Sequence, residues 1–160
     1  MTIKVGDKLP PVTLTMATAE GPRALDTAEF FAGKKVVVFA VPGAFTPTCS
    51  AKHLPGFVQH AADLKAKGVD AIACVSVNDA FVMGAWGDQQ KVGDAVAMLA
   101  DGNGDFTRAL GLEMDGTKFG MGKRSQRYAM IVDNGVVKTL DVEEPGSFSV
   151  SSAEHILKQL

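Results

Sequence analysis

Only two cysteines occur in the 160 residues, Cys49 and Cys74. That excludes a disulfide scaffold and favours a reducing, cytoplasmic setting. No Cys-x-x-Cys pair occurs, which speaks against a disulfide oxidoreductase. Charge of one sign is also lacking. The formal net charge is -2, so nothing pulls the chain toward nucleic acid or an anionic membrane. No apolar run is long enough to span a bilayer, and the opening MTIKVGDKLPP has no apolar core of a signal peptide. Repeats, low-complexity tracts and linker-like stretches are absent, so residues 1–160 read as one domain. With 46% hydrophobic and 21% charged residues, the composition is that of an ordinary soluble protein with a real core.

What is present alternates between two periodicities. Lys34–Val41 (KKVVVFAV) and Val69–Val77 (VDAIACVSV) are β-branched apolar runs of the kind that form strands buried on both faces. Between them, Leu54, Phe57, Val58, Ala61 and Leu64 recur at helical spacing from about Cys49 to Lys67, with Pro55 expected to kink or delay the helix. A helix over 80–91, a strand over 95–100, a short helix over 106–112 and a last helix over 152–160 follow. Arg127–Val132, Asp133-Asn134-Gly135 and Val136–Val142 form a hairpin pattern, because Asn-Gly supplies the positive φ of a tight turn. The expected fold is α/β, a mixed central sheet flanked by helices.

Two stretches imitate ligand loops and fail on detail. GTKFGMGK (116–123) has Thr117 and a displaced Ser125 where a phosphate loop would need other residues. DGNGD (101–105) is followed by Phe106 where a calcium loop requires glycine. Both read as turns. His53, His60 and His155 have no cysteine company and read as ordinary helix residues, with no metal site.

The sharpest signal is PGAFTPTCSAKHLPG, residues 42–56. A buried strand ends, and Cys49 falls at or near the start of a helix. There the free backbone N–H groups, those of Thr48 and Cys49 among them, and the helix dipole favour thiolate over thiol. Thr46, three residues earlier, can fold its hydroxyl toward the sulfur, donating to a thiolate or accepting from a substrate. Pro42 and Pro47 stiffen the loop and offer no N–H. A capped helix start around a packed thiol would look much the same, so on these residues alone both readings stand.

Pro42-Gly43-Ala44-Phe45-Thr46-Pro47-Thr48-Cys49 resembles the peroxiredoxin active-site motif Pro-x-x-x-Thr-x-x-Cys. The longer PGAFTPTCSAKHLPGF, with VSVNDAFVMGAWG (75–87) and RYAMIVDNGVVK (127–138) in the same order, resembles the type II or atypical subgroup across nearly the whole chain. The resemblance implies a thioredoxin-like fold and thiol-dependent reduction of hydrogen peroxide and alkyl hydroperoxides through a cysteine sulfenic acid, with no cofactor. It makes Cys49 the peroxidatic cysteine, Thr46 the hydrogen-bonding threonine, Pro42 the shielding proline and Arg127 the arginine that stabilises thiolate and peroxide. Arg124 is a near neighbour, but the RYAM context matches Arg127. A homodimer is expected, with Trp86 or the Phe45 loop as candidate contacts.

Cys74 matches a cysteine considered a resolving partner in plant members. Geometry argues otherwise: Cys74 lies four residues inside the strand end at Asn78, roughly 13 Å of strand, whereas a disulfide needs Cα atoms within about 7 Å. The expectation is a structural Cys74 and an external reductant, glutathione with glutaredoxin or thioredoxin. The rival from another class, a thioredoxin-fold binding or chaperone protein with an incidental Cys49, leaves the combination of Pro42, Thr46, Cys49 and Arg127 unexplained.

Overall fold

The structure is a computed structural model and describes residues 2–160. The first strands are β1 (Thr13–Thr18), β2 (Gly21–Asp26), β3 (Lys35–Ala40), β4 (Ala71–Ser76) and β5 (Ala97–Ala100). They are followed by β6 (Glu113–Asp115), β7 (Lys123–Ser125), β8 (Tyr128–Asp133) and β9 (Val136–Val142). Seven of them form one sheet in the order β2-β1-β5-β4-β3-β8-β9, and β6 pairs with β7 separately. β3, β4 and β5 run parallel, and the other neighbours are antiparallel. The sheet is therefore mixed, as the sequence pattern predicts.

Strand β3 shows why the sheet is central. Val37 and Phe39 belong to the core on one face, Val36, Val38 and Ala40 to the core on the other, and none has accessible surface. A period-two chain buried on both sides must be apolar at every position, which is what KVVVFA is. One face is covered by α2 (Leu54–Gln59), α3 (Ala61–Ala66), α4 (Ala80–Gln89) and α6 (Ala153–Leu157). The other is covered by α1 (Thr27–Phe31) and α5 (Asp105–Leu110), through Phe31, Phe106 and Leu110.

Local sequence sets the ends of these elements. The Asp79 carboxylate accepts from Val82 N at 2.8 Å and the Ser152 hydroxyl accepts from His155 N at 3.1 Å, capping α4 and α6. Asn134 and Gly135 have φ of 51° and 79°, the positive pair that closes the β8–β9 hairpin. DGNGD is a helix cap: the buried Asp101 carboxylate accepts from Phe106 N, Thr107 N and Thr107 Oγ1 at 3.1, 2.9 and 2.7 Å. GTKFGMGK folds between β6 and β7, with Gly116 N bonded to Gly122 O at 2.7 Å.

The hairpin β1–β2, helix α1 and the β6–β7 pair have no counterpart among the sequence expectations, and two expectations need correction. The helix expected over 49–67, with an interruption at Pro55, winds over Cys49–His53 as a π-helical turn closed by Leu54 N to Cys49 O, but it also divides at His60 into α2 and α3, which was not expected. Pro55 carries no N–H and its ring would press on the carbonyl four residues back, so a widened turn is the local accommodation. Trp86 has no exposed surface, and its indole N–H donates to Ser50 Oγ at 3.0 Å, which removes it as a candidate subunit contact.

Candidate active site

The loop 41–46 leaves the C-terminal end of β3, in the middle of the sheet, where parallel strands ordinarily open a site. Val41 N is held by Val75 O at 3.1 Å and Ala44 N by the Asn78 side-chain oxygen at 3.0 Å, so the loop is tied to β4 and the turn beyond it. Phe45 sits at φ 66°, a region bulky side chains avoid, which turns the chain back toward the helix start. Gly43 lets Arg124 come close: a Cβ there would lie 2.8 Å from Arg124 Nη1, so a side chain would push the guanidinium aside. That same guanidinium donates to the Pro42 carbonyl at 3.3 Å and, through Nε, to Met121 O at 2.9 Å. Arg124 thus braces the loop from behind while Arg127 faces the sulfur.

Cys49 has no accessible surface. Thr46 Oγ1 stands 2.8 Å from its Sγ and 2.7 Å from the Gly43 carbonyl. A hydroxyl has one proton for two acceptors, so Thr46 donates either to the Gly43 carbonyl or to the Cys49 sulfur and keeps its lone pairs for another donor. Arg127, just before β8, places Nη2 3.0 Å from the same Sγ. The helix begins at Pro47, so the N–H groups of Thr48 and Cys49 fall in the first turn, where no preceding turn supplies an acceptor. Pro42, Thr46, Cys49 and Arg127, named from sequence, therefore meet at one sulfur or in the loop that frames it.

His53, read from sequence as an ordinary helix residue, is a correction. It is fully buried, one π-helical turn after Cys49, and its Nδ1 lies 2.8 Å from Arg127 Nη1. Its Nε2 lies 2.9 Å from the Ser151 carbonyl. Burial first, and then the Arg127 charge, lower its pKa to about 3, so the ring is neutral. The available signal was the four-residue spacing from Cys49, which turns both side chains to the buried side; nothing nearby in sequence announced the arginine.

Cys74 lies in β4 beside Phe39 and Met98 in the ladder, in the same core cluster as Cys49, and both thiols are free. Burial raises its pKa well above the ordinary value. A thiol kept protonated is a poor nucleophile.

The family described as Redoxin matches residues 4–157. The chain is 60% identical to Peroxiredoxin-2E-2, chloroplastic, of Oryza sativa subsp. japonica, an alignment that covers 99% of this chain and 73% of that protein. Against Peroxiredoxin-2B of Arabidopsis thaliana it is 50% identical over 99% of this chain and 98% of that one. Among solved structures, reduced Prx3 of Vibrio vulnificus in complex with hydrogen peroxide superposes with a TM-score of 0.95 at 62% identity, covering 99% of both chains.

Proposed function

The chain belongs to the redoxin family and, within it, to the peroxiredoxins, thiol peroxidases of thioredoxin fold; from that premise we propose that Cys49 is its peroxidatic thiol and that Thr46, Arg127 and Pro42 complete the reacting site. One observation carries the assignment: a single sulfur lies within 3.0 Å of both a threonine hydroxyl and an arginine N–H at the open end of the sheet.

A cysteine of ordinary pKa, about 8.5, is roughly 3% thiolate at pH 7, so full ionisation gains only about thirty-fold. The remaining acceleration has to come from placing the peroxide and from following the charge as it moves. The thiolate sulfur attacks the terminal peroxide oxygen. A S–O bond forms, the O–O bond breaks, the sulfur is oxidised by two electrons to sulfenic acid, and the departing oxygen takes a proton and leaves as water or an alcohol. The Nη2 group of Arg127 stabilises the negative charge first on sulfur and then on the departing oxygen. The Thr46 lone pair accepts the peroxide O–H, and the N–H groups of Thr48 and Cys49 add positive potential at the sulfur. Pro42 offers the loop no competing donor.

The substrates are hydrogen peroxide and alkyl hydroperoxides. An external thiol, from glutathione with glutaredoxin or from thioredoxin, attacks the sulfenic sulfur and releases water, and a second thiol reduces the mixed disulfide. Cys74, protonated inside β4, is a structural thiol in this scheme. The protein acts in a reducing compartment such as the cytoplasm and as a homodimer. Phe45, an exposed apolar side chain in the loop ahead of Cys49, is the contact a second copy would cover.

Mixing reduced protein with one equivalent of hydrogen peroxide and reading intact mass without reductant tests the assignment. Rapid gain of one oxygen in the wild type, absent in Cys49→Ser, is the expected result. Loss of two hydrogens would make Cys74 the resolving thiol, and no rapid change would overturn the peroxidase assignment to Cys49.

A further inference from the structure

We infer that His53 is a positioning residue of the peroxidase reaction: its Nδ1 lone pair holds Nη1 of Arg127 so that Nη2 stays on the Cys49 sulfur. The inference rests on the assignment of Cys49 and Arg127 above, and it adds a residue that acts only through the arginine.

The hydrogen-bond chemistry leaves one arrangement. An arginine N–H can only donate, so His53 Nδ1, 2.8 Å from Arg127 Nη1, must be the acceptor. A peptide carbonyl can only accept, so His53 Nε2, 2.9 Å from Ser151 O, must carry the proton. Both bonds require the neutral imidazole in a single tautomer, and the lowered pKa of the ring agrees. A protonated ring would aim an N–H at the guanidinium and lose the contact.

The ring cannot tilt away from this arrangement. Phe39, Phe57 and Phe148 pack around it with centroid distances of 4.9, 5.7 and 5.0 Å. The Ser151 end is fixed as well. The Glu143 carboxylate accepts from Ser149 N, Ser151 N and Ser151 Oγ at 2.7, 2.8 and 2.7 Å. Glu143 also returns to the arginine, because its own N–H bonds Arg127 O at 2.9 Å. A closed ring of contacts therefore runs from the Arg127 backbone through Glu143, Ser151 and His53 to the Arg127 guanidinium. With Nη1 committed at one end, the fork of the guanidinium has one orientation left, and that orientation touches Sγ at 3.0 Å.

Three replacements separate positioning from packing. Asparagine places its oxygen two bonds from Cβ, where Nδ1 was, and can still accept from Arg127. Glutamine places its amide three bonds from Cβ, where Nε2 was, and keeps the Ser151 contact but not the acceptor. Leucine keeps neither. Stopped-flow oxidation by hydrogen peroxide is measured for each and divided by the thiolate fraction from ultraviolet absorbance, with the melting temperature recorded in parallel. The expected result is a loss of about ten- to a hundred-fold in His53→Leu and His53→Gln, with His53→Asn recovering most of it. In an Arg127→Lys background His53→Leu should cost little more, because the two residues act as a unit.

An undiminished rate in His53→Leu would overturn the inference. So would losses that follow the melting temperatures rather than the acceptor, or full additivity with Arg127→Lys. A wild type that gains no oxygen from peroxide would instead sink the peroxidase assignment itself.

Discussion

Cys49 and Cys74 make a controlled comparison within one molecule. Both are completely buried, both belong to the same core cluster, and both are free thiols. They differ in company. Cys49 lies at a helix start against a hydroxyl at 2.8 Å and a guanidinium at 3.0 Å, whereas Cys74 is set in the β4 ladder beside Phe39 and Met98. Burial favours the neutral thiol at Cys74. Reactivity therefore comes from donors and charge brought to a sulfur, and exposure would have ranked the two as equals.

The contrast can be broken most severely at the sulfurs. Cys49→Ser should lower peroxide consumption by at least about a thousand-fold, while Cys74→Ser should stay within about two-fold, as read by coupled turnover with an external thiol. Comparable losses in the two variants would erase the distinction. Next comes the charge. Arg127→Lys keeps a cation but not the fork, and the peroxide rate constant should fall about a hundred-fold; a fall that only tracked the measured thiolate fraction would reduce the arginine to an ionising group. Thr46→Val, which keeps shape and removes the hydroxyl, should cost about ten-fold, seen as weaker saturation by peroxide, and an unchanged rate would remove Thr46 from the site.

The smallest effects lie in stability, and the two regions should fail at opposite ends of the pH scale. His53 is neutral in the fold with a pKa near 3, while in the unfolded chain it gains a proton below about 6.5. The unfolded state binds more protons in that window, so this contribution is present above it and is lost as pH falls through it. Cys74 has the reverse linkage. Its folded pKa is raised well above the ordinary thiol value, so its contribution is complete below that value and is lost as pH rises. Urea unfolding across pH should show the acid arm flattened in His53→Asn and the alkaline arm flattened in Cys74→Ala. Unchanged arms would mean that other groups carry the linkage.

Much of this was legible because it depends on neighbours in sequence. KVVVFA reads as a doubly buried strand from its own residues, and Asn134-Gly135 specifies its hairpin. Pro42, Thr46 and Cys49 lie within one loop, so their meeting is a local matter. The N-terminal hairpin was illegible for a physical reason. β2, GPRALD, is an edge strand exposed along most of its length, so it lacks an apolar signature, and Pro22 argues against a strand. His53 was illegible for another. Its partner Arg127 is 74 residues away, and Phe148 and the Ser151 carbonyl reach it only once the segment before α6 has docked. Arg124 differs again: it was visible as a charge beside Arg127, but its grip on the Pro42 carbonyl required the β6–β7 hairpin.

The complete burial of Cys49 sets unequal terms for its two visitors. A peroxide is a few atoms across and needs only a small opening to reach the sulfur. A reductant carries its thiol on something far bulkier, and forming a disulfide demands sulfurs about 2 Å apart. The posture that suits oxidation therefore shuts out reduction, and the widened turn at Cys49–His53, with its one surplus residue, is slack that can be paid out to bring the sulfur to the surface. Oxidation should accelerate in proportion to peroxide, whereas reduction should level off as the thiol is raised, at a ceiling that is the uncoiling rate of a single turn.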